Sequence, residues 1–283
     1  MKQPYYFLSR IITVCFFFLI PLPSQADQQN DGPDADPALL AIIAGEHRSD
    51  DNKARDRFRY PAETLTWFGL EKNMTVVEIW PGGGWYTEIL APYLKDDGRY
   101  YAAGPDAASD TPFVQNLSRQ LKDKLASDLD LYGKAIISEL APPQKTAIAP
   151  EGSVDMVLTF RNVHNWLSAG FAPDIFAAIY TALKPGGILG LVEHRGDPST
   201  RQDRLARSGY VTEAATIQLA EAAGFTLVGR SEINPNPKDV KYYPGGVWTL
   251  PPTLALGDKS RDAYVAIGES DRMTLKFVKL QEK

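Results

Sequence analysis

The chain has 283 residues, enough for one large α/β domain or two small ones, and either would bury a sizeable core. Its composition, 44% hydrophobic and 23% charged, is that of an ordinary globular protein. The formal net charge of −5 gives no basic footprint, which argues against binding to nucleic acid.

The first 26 residues have the pattern of a secretory signal peptide. Lys2 and Arg10 precede an almost wholly apolar run over residues 11–22, and residues 24–26 (Ser-Gln-Ala) form a small-x-small cleavage site. The run is much shorter than the roughly 20 residues that span a bilayer. We therefore expect an exported protein, periplasmic or secreted, with no stable membrane insertion after cleavage. An uncleaved anchor is the alternative.

Cysteine and histidine usage argues against a metal site. The only cysteine, Cys15, lies inside the apolar run, so the mature chain has no disulfide framework and no thiolate ligand. The three histidines are scattered without paired spacing, and we expect no bound metal. Cleavage leaves 28 basic residues against 35 acidic ones.

The remaining chain divides by composition and pattern. Residues 27–60 form a polar leader and then an N-terminal helical extension with a charged stretch. Residues 61–283 form the main domain, with an insertion rich in proline, glycine and aromatic residues at 234–271. Insertions of that length are usually functional lids or partner surfaces.

The stretch from Val76 to Leu90 predicts a strand, a glycine turn and a helix. An apolar run ends at Ile79, Gly82 and Gly84 belong to three consecutive glycines, and the following residues have helical apolar spacing. The glycines let backbone approach a ligand closely, and the helix N-terminus offers free N–H groups. This is the first half of a nucleotide-binding βαβ unit.

Six further strands alternate with helices after this turn. An acidic residue, Asp106, ends the second strand 22 positions after Gly84, and a carboxylate at that spacing suits a ribose diol. Glu139 ends the third strand. The alternation predicts one doubly wound, seven-stranded, mostly parallel α/β sheet. The predicted strands cover residues 98–106, 135–140, 154–160, 188–192, 225–228 and 273–278. A helix is predicted over 112–131, a loop over 161–166 after the fourth strand, and a turn at 184–187 before the fifth.

Two of the three histidines follow predicted strands. His164 comes after the fourth strand, and His194 ends the fifth. Ligands of open parallel sheets bind at the carboxyl ends of the strands, so both side chains are candidates for chemistry. A structural histidine bonded to backbone is the alternative for each.

These features together resemble the class I S-adenosylmethionine-dependent methyltransferases, over roughly residues 60–280. The resemblance depends on the glycine motif at 76–84, Asp106, the strand at 154–157 and the phrase Leu-Lys-Pro-Gly-Gly at 183–187. More narrowly, the sequences at 60–65, 80–87 and 246–252 look like a bacterial group of exported predicted methyltransferases. The family also has an antiparallel seventh strand beside the fifth.

The resemblance implies cofactor roles for several residues. Glu78 would orient the methionine end of S-adenosylmethionine, Gly82 and Gly84 match motif glycines, and Asp106 and Glu139 match the ribose and adenine acids. Tyr86, at the mouth of the motif helix, would stack on or bond the cofactor; core packing is the alternative. Trp80 departs from the family, because it replaces the first motif glycine.

The expected reaction is in-line methyl transfer to a small-molecule acceptor. His164, and after it His194, is the candidate general base. Arg161, Arg195 and Arg272 could clamp an anionic acceptor. Tyr243 and Trp248 of the insertion could line its pocket.

Two other functions stay open. A nicotinamide-dependent oxidoreductase would also have a βαβ unit followed by an acidic residue, although the Pro-Gly-Gly-Gly spacing favours the methyltransferase. A non-catalytic exported ligand-binding protein fits Trp80 and the signal peptide, since S-adenosylmethionine is made in the cytosol.

Overall fold

Seven strands build one mixed sheet. The computed structural model describes Met1 and residues 35–281. In chain order the strands are β1 Thr75–Ile79, β2 Arg99–Gly104, β3 Ile136–Glu139, β4 Val154–Phe160, β5 Leu183–His194, β6 Phe225–Ser231 and β7 Arg272–Lys279.

The strand order across the sheet is β3-β2-β1-β4-β5-β7-β6. β1 to β5 run parallel, and β7 is antiparallel to both β5 and β6. The chain winds one way from β1 to β3 and the other way from β4 onward, so a crevice lies where β1 meets β4. This confirms the predicted doubly wound fold and the antiparallel seventh strand beside the fifth.

Helices cover both faces of the sheet. Asp36 caps the first helix by accepting from the Ala38 N–H, and Thr212 caps the tenth by accepting from the Ala215 N–H. The helices are α1 Pro37–Ala44, α2 Asp50–Lys53, α3 Asp56–Arg59, α4 Pro61–Phe68, α5 Thr87–Leu94, α6 Pro112–Ala126, α7 Leu129–Tyr132, α8 Val163–Ala169, α9 Ala172–Ala182, α10 Glu213–Ala222 and α11 Arg261–Ile267, with a 3-10 helix at Gly246–Thr249.

The core lies on both sides of the central strands. Because side chains alternate along a strand, Val76 and Met156 pack on the face that α5 covers, and Val77 and Val157 on the face that α9 covers. All four side chains are fully buried. Burial on both faces explains why these strands are almost continuously apolar.

Three predicted elements differ from the structure. The helix predicted over 112–131 is two helices, because the Asp128 carboxylate accepts from the N–H groups of Asp130 and Leu131 and starts α7. The turn predicted at 184–187 lies inside β5 as an irregularity, because Leu183 already pairs with Val154, pairing resumes at Ile188 with Met156, and Gly186 between them has a φ of 83°. The loop predicted after β4 becomes helical at Val163.

The N-terminal helices are attached to α5 through a buried guanidinium. Arg48, only 1% exposed, donates to both oxygens of Asp56 at 2.8 Å and lies over the Trp85 ring at 5.0 Å. The neighbouring His47 bonds the carbonyl of Glu88 in α5 through Nε2 at 2.8 Å. The extension is therefore fixed beside the glycine turn.

The part of the chain that the structure describes contains no helix long and apolar enough to cross a membrane. The predicted signal peptide, residues 1–26, lies outside the described residues apart from Met1. From residue 35 onward the described chain falls within one compact unit, and the insertion at 234–271 is part of it.

The Arg48 ion pair gives a stability prediction. We expect Asp56→Ala to lower the free energy of unfolding by about 3 kcal/mol, because the buried guanidinium loses its two hydrogen bonds to a carboxylate and keeps Glu88 as its only carboxylate, 3.8 Å from its Nε. Urea denaturation measures this. The exposed Asp51→Ala, in the neighbouring α2, is the matched control and should change stability by less than about 0.5 kcal/mol. Equal effects of the two substitutions would contradict the structural role of the pair.

Candidate functional site

The glycine turn between β1 and α5 has the open backbone that its sequence predicts. Gly82 and Gly84 have φ angles of 61° and 80°, in the left-handed region that favours glycine. A Cβ atom added to Gly82 or Gly83 would meet nothing within 4 Å. This part of the turn therefore leaves space for a ligand to approach the backbone.

Trp80 keeps the backbone of a glycine position while carrying a large ring. Its φ is 44°, and its N–H donates to the Ala103 carbonyl at 2.8 Å. The indole Nε1 donates to the Leu140 carbonyl, just after β3, at 3.0 Å. Since β2 lies between β1 and β3, the indole crosses the carboxyl end of β2.

The predicted nucleoside acids lie together at the next two strand ends. Lys145 pairs with Asp106 at 2.5 Å and with Glu139 at 2.6 Å. Glu139 also accepts from the Ala107 N–H at 2.8 Å. The hydrogen bonds from Lys145 lower the pKa of both carboxyl groups. Both acids are thus ionised, and both are engaged by the same lysine.

A cleft of about 620 Å³ opens beside this trio. Glu139 and Lys145 line one side, and Ser118 and Leu121 of α6 line another. It lies beside the carboxyl ends of β2 and β3, and Trp80 is not among its lining residues.

Glu78 is buried at the end of β1. It is 2% exposed, and its Oε2 accepts from Tyr100 Oη at 2.6 Å and Thr87 Oγ1 at 3.0 Å. Burial raises the pKa of Glu78 to about 7, although both hydrogen bonds favour the ionised form. The carboxyl group lines a small polar pocket beside Gly82 and is partly protonated near neutral pH.

His164 and His194 meet at the ends of β4 and β5, and we call them with Glu193 the histidine cluster. The two ring centroids are 5.4 Å apart. The fully buried Glu193 accepts from the His164 N–H at 3.2 Å and lies 3.0 Å from His164 Nδ1. His194 Nδ1 lies 2.5 Å from Ser270 Oγ. Both rings are therefore held through Nδ1, which leaves each Nε2 for a ligand.

The histidine cluster also has the composition of a metal site. Each of His164, Glu193 and His194 offers one donor atom, and the three atoms lie within 4.8 Å of one another. The sequence suggested scattered histidines, and folding brings two of the three together. Burial, the other histidine and nearby Arg161 lower the pKa of His194, so this ring is neutral and lies in a positive field. A positive field disfavours a bound cation at this position.

Arginines surround the small pocket next to the glycine turn. We call Arg55, Arg59 and Arg161, with the cavity of about 220 Å³ that they line, the arginine pocket. Glu269 of the insertion accepts from Arg55 Nε at 2.7 Å and from Arg59 Nε at 3.0 Å. The remaining wall includes Gly82, Gly83, Trp85, Tyr86 and Phe160.

A third guanidinium reaches the same carboxylate. Arg272 Nη2 pairs with Glu269, and its Nη1 donates to the Phe58 carbonyl at 2.9 Å. Burial alone would raise the pKa of Glu269, but Arg272, Arg59 and Arg161 hold it well below its usual range. Glu269 is therefore ionised and shared among three arginines.

The other predicted residues have more varied positions. Trp248 packs its edge on His164, with centroids 5.9 Å apart. Tyr86 stacks on Phe160 at 3.5 Å, which is core packing at the wall of the arginine pocket. Arg195 forms ion pairs with Glu232 and Asp271. Tyr243 packs on Tyr264, and its hydroxyl accepts from the Val240 N–H. Neither side chain contacts the histidine cluster through these interactions.

Sequence reasoning did not select three of the residues that build the site. Arg59 was one of several arginines in a charged stretch, and only its i, i+4 spacing from Arg55 marks it out. Glu193 precedes His194 at the end of an apolar strand. Glu269 lies in the insertion, which has no periodic pattern that would place it.

A solved methyltransferase and a solved cyclase share this fold. An S-adenosylmethionine-dependent methyltransferase from Aquifex aeolicus matches with a TM-score of 0.51 and 15% identity, over 80% of this chain and 93% of that one. The cyclase SpnF matches with a TM-score of 0.50 and 16% identity, over 86% and 93%. No family model and no curated protein matches the sequence. At these identities the likeness establishes the fold, and the reaction must be argued from the site.

Glu78 gives a pH-dependent stability prediction. Its native pKa of about 7 exceeds the ordinary 4.5, so the folded state holds this proton more tightly than the unfolded chain. Glu78 therefore lowers stability progressively as pH rises through that range, by about 3 kcal/mol in total. Glu78→Gln keeps the acceptor oxygen and does not ionise, so the variant should lose this decline.

Urea denaturation of both proteins at about pH 4 and about pH 8 measures the difference. The exposed Glu71→Gln is the matched control and should follow the wild type at both values. A wild-type-like pH dependence in Glu78→Gln would show that the buried carboxyl group is not the source.

Proposed function

We propose that the protein is an exported S-adenosylmethionine-dependent methyltransferase with a small-molecule acceptor. One observation carries the proposal: a ligand-accessible glycine turn, two nucleoside-side acids and an oriented histidine lie along one edge of the sheet. The turn follows β1, Asp106 and Glu139 are at the β2 and β3 ends, and His164 follows β4. Parallel sheets bind ligands at this edge.

The residues at the methionine end fit this cofactor. Gly82 and Gly83 leave room for backbone approach, and the buried Glu78 can face the ammonium group as a carboxylate. When bound, S-adenosylmethionine supplies an electrophilic methyl group. The chain then has to align the acceptor, exclude water and receive a proton.

His164 is the proton acceptor in this proposal. Glu193 lies 3.0 Å from Nδ1 and fixes the tautomer that carries its hydrogen there, which leaves Nε2 basic. The ring is 6% exposed, and Trp248 covers one edge. A proton removed from an acceptor O–H or N–H would move to Nε2 as the methyl group is transferred.

The nucleoside end is closed in this structure. The Trp80 indole crosses the end of β2, and Lys145 engages both acids. Nucleoside binding requires the indole to leave its bond with Leu140 and Asp106 to exchange Lys145 for a ribose. Because the Trp80 indole and Lys145 occupy the place of the nucleoside, the structure also supports a second candidate, a non-catalytic exported ligand-binding protein with this fold.

Titration calorimetry separates these two candidates. We expect the mature protein to bind S-adenosylhomocysteine, and Asp106→Asn to weaken binding about tenfold or more because it removes a charged acceptor from the ribose. The exposed Asp110→Asn is the matched control and should bind like the wild type. Absence of binding at about 1 mM would reject the methyltransferase and favour the second candidate.

Trp80→Gly tests the closure directly. The substitution removes the indole and relieves a left-handed backbone that costs about 1 kcal/mol in a non-glycine residue. We expect about tenfold tighter binding of S-adenosylhomocysteine in the same titration. Weaker binding would mean that the ring contacts the ligand instead of covering its place. NAD, titrated in parallel, should bind neither form.

A further inference from the structure

The tenth helix has a second, mostly apolar stripe besides the one that it buries. Thr216 and Ala220 are fully buried against the core. The second stripe has the spacing i, i+3, i+4 and i+7, which places its members on one face of a helix. It consists of Ala215, Gln218, Leu219 and Ala222. These four residues line a surface groove of about 470 Å³, which we call the α10 groove.

The opposite wall of the α10 groove is formed where α8 turns into α9. Leu167, Ala172 and Pro173 line this wall. Gly170 ends α8 with a φ of 79°, and a Cβ atom added there would meet nothing within 4 Å. The next residue, Phe171, is 36% exposed. The wall is therefore apolar and open to solvent, on the outer surface of the helices that cover the sheet.

A loop after β5 supplies the polar end of the α10 groove. Gln202 fixes this loop to the start of α10, because its Oε1 accepts from the Thr212 N–H at 2.7 Å. Arg204 is exposed and lines the groove, and no hydrogen bond or ion pair within the described part of the chain engages its guanidinium. The neighbouring Asp203 is engaged elsewhere, since it accepts from the Arg207 N–H at 3.0 Å and pairs with the Arg207 side chain at 3.4 Å.

Charge and shape together select one kind of occupant. Arg204 is the one charged group among the described residues that line the groove, although the whole chain has 35 acidic residues against 30 basic ones. The volume lies within the range of about 300–1,000 Å³ that is typical of small-molecule sites. An extended peptide would bring an N–H and a C=O with every residue, and apolar walls would leave those groups unpaired. An alkyl chain brings no such groups.

We propose that the α10 groove binds an amphiphile with one anionic head group, a carboxylate of the fatty-acid type. The head group pairs with Arg204, whose guanidinium matches a carboxylate in charge and geometry. The alkyl chain lies along the second stripe of α10, against Leu219 and Leu167. The groove shares no lining residue with the arginine pocket, so this site is separate from the proposed cofactor site and does not depend on the proposed function.

Titration calorimetry of the mature protein with sodium dodecanoate tests the site. We expect one molecule to bind per chain, and Arg204→Gln to weaken binding about tenfold, because a charge-assisted hydrogen bond is lost. Octanoate should bind about tenfold or more weakly than dodecanoate, because fewer methylene groups leave water. Arg201→Gln is the matched control, since Arg201 is exposed in the same loop and does not line the groove.

A second pair of variants tests the chain-binding part of the groove. Ala222→Glu places a carboxylate on the second stripe and should weaken dodecanoate binding about tenfold or more, by repulsion and by hydration of the apolar wall. Ala222 is exposed, so the variant should fold. Ala214→Glu, also exposed on α10 but outside the groove, is the matched control and should bind like the wild type.

The remaining outcomes decide between this ligand and others. Absence of dodecanoate binding at about 1 mM, equal losses in Ala222→Glu and Ala214→Glu, or equal binding of the cation dodecyltrimethylammonium would each overturn the proposal. Sedimentation with phosphatidylglycerol vesicles, without binding of free dodecanoate, would also overturn it, since the groove would then meet a membrane surface. Dodecanoate binding without binding of S-adenosylhomocysteine would support the groove and reject only the proposed methyl transfer.

Discussion

The site depends on one buried carboxylate that three arginines share. Glu269 receives Arg55 and Arg59 from the N-terminal extension and Arg272 from the start of β7. The shared ion pair fastens the extension to the end of the sheet and places its arginines beside the glycine turn. One carboxylate cannot neutralise three guanidinium groups, so the interaction that closes the fold also leaves the pocket positive.

Charge is distributed unevenly along the sheet edge. Carboxylates end β1, β2 and β3, and the arginines lie towards β4 and β7, where Glu193 and Glu269 are placed among them. Burial, and then the nearby positive charge, keeps His194 neutral. The same charge would stabilise an anion formed when an acceptor loses its proton.

Much of the fold was readable from the sequence, because strand periodicity and acids at strand ends are local signals. The arginine pocket could not be predicted in this way, because 214 residues separate Arg55 from Glu269 and no local sequence pattern indicates that they pair. Glu193 and His194 are adjacent at a strand end, and only the packed structure shows that the carboxylate turns inward to hold His164. The turn at 184–187 was predictable from its Pro-Gly-Gly sequence, but the pairing of Leu183 with Val154, which starts β5 before the turn, is a tertiary effect.

Trp80 determines how far the fold alone can predict the activity. Its left-handed backbone preserves the shape of the glycine turn, and the indole's packing and its bond to Leu140 offset the strain. The turn therefore holds its form without a ligand to stabilise it. Any nucleoside must replace those indole contacts with its own, so its affinity is reduced by the stability of the closed form.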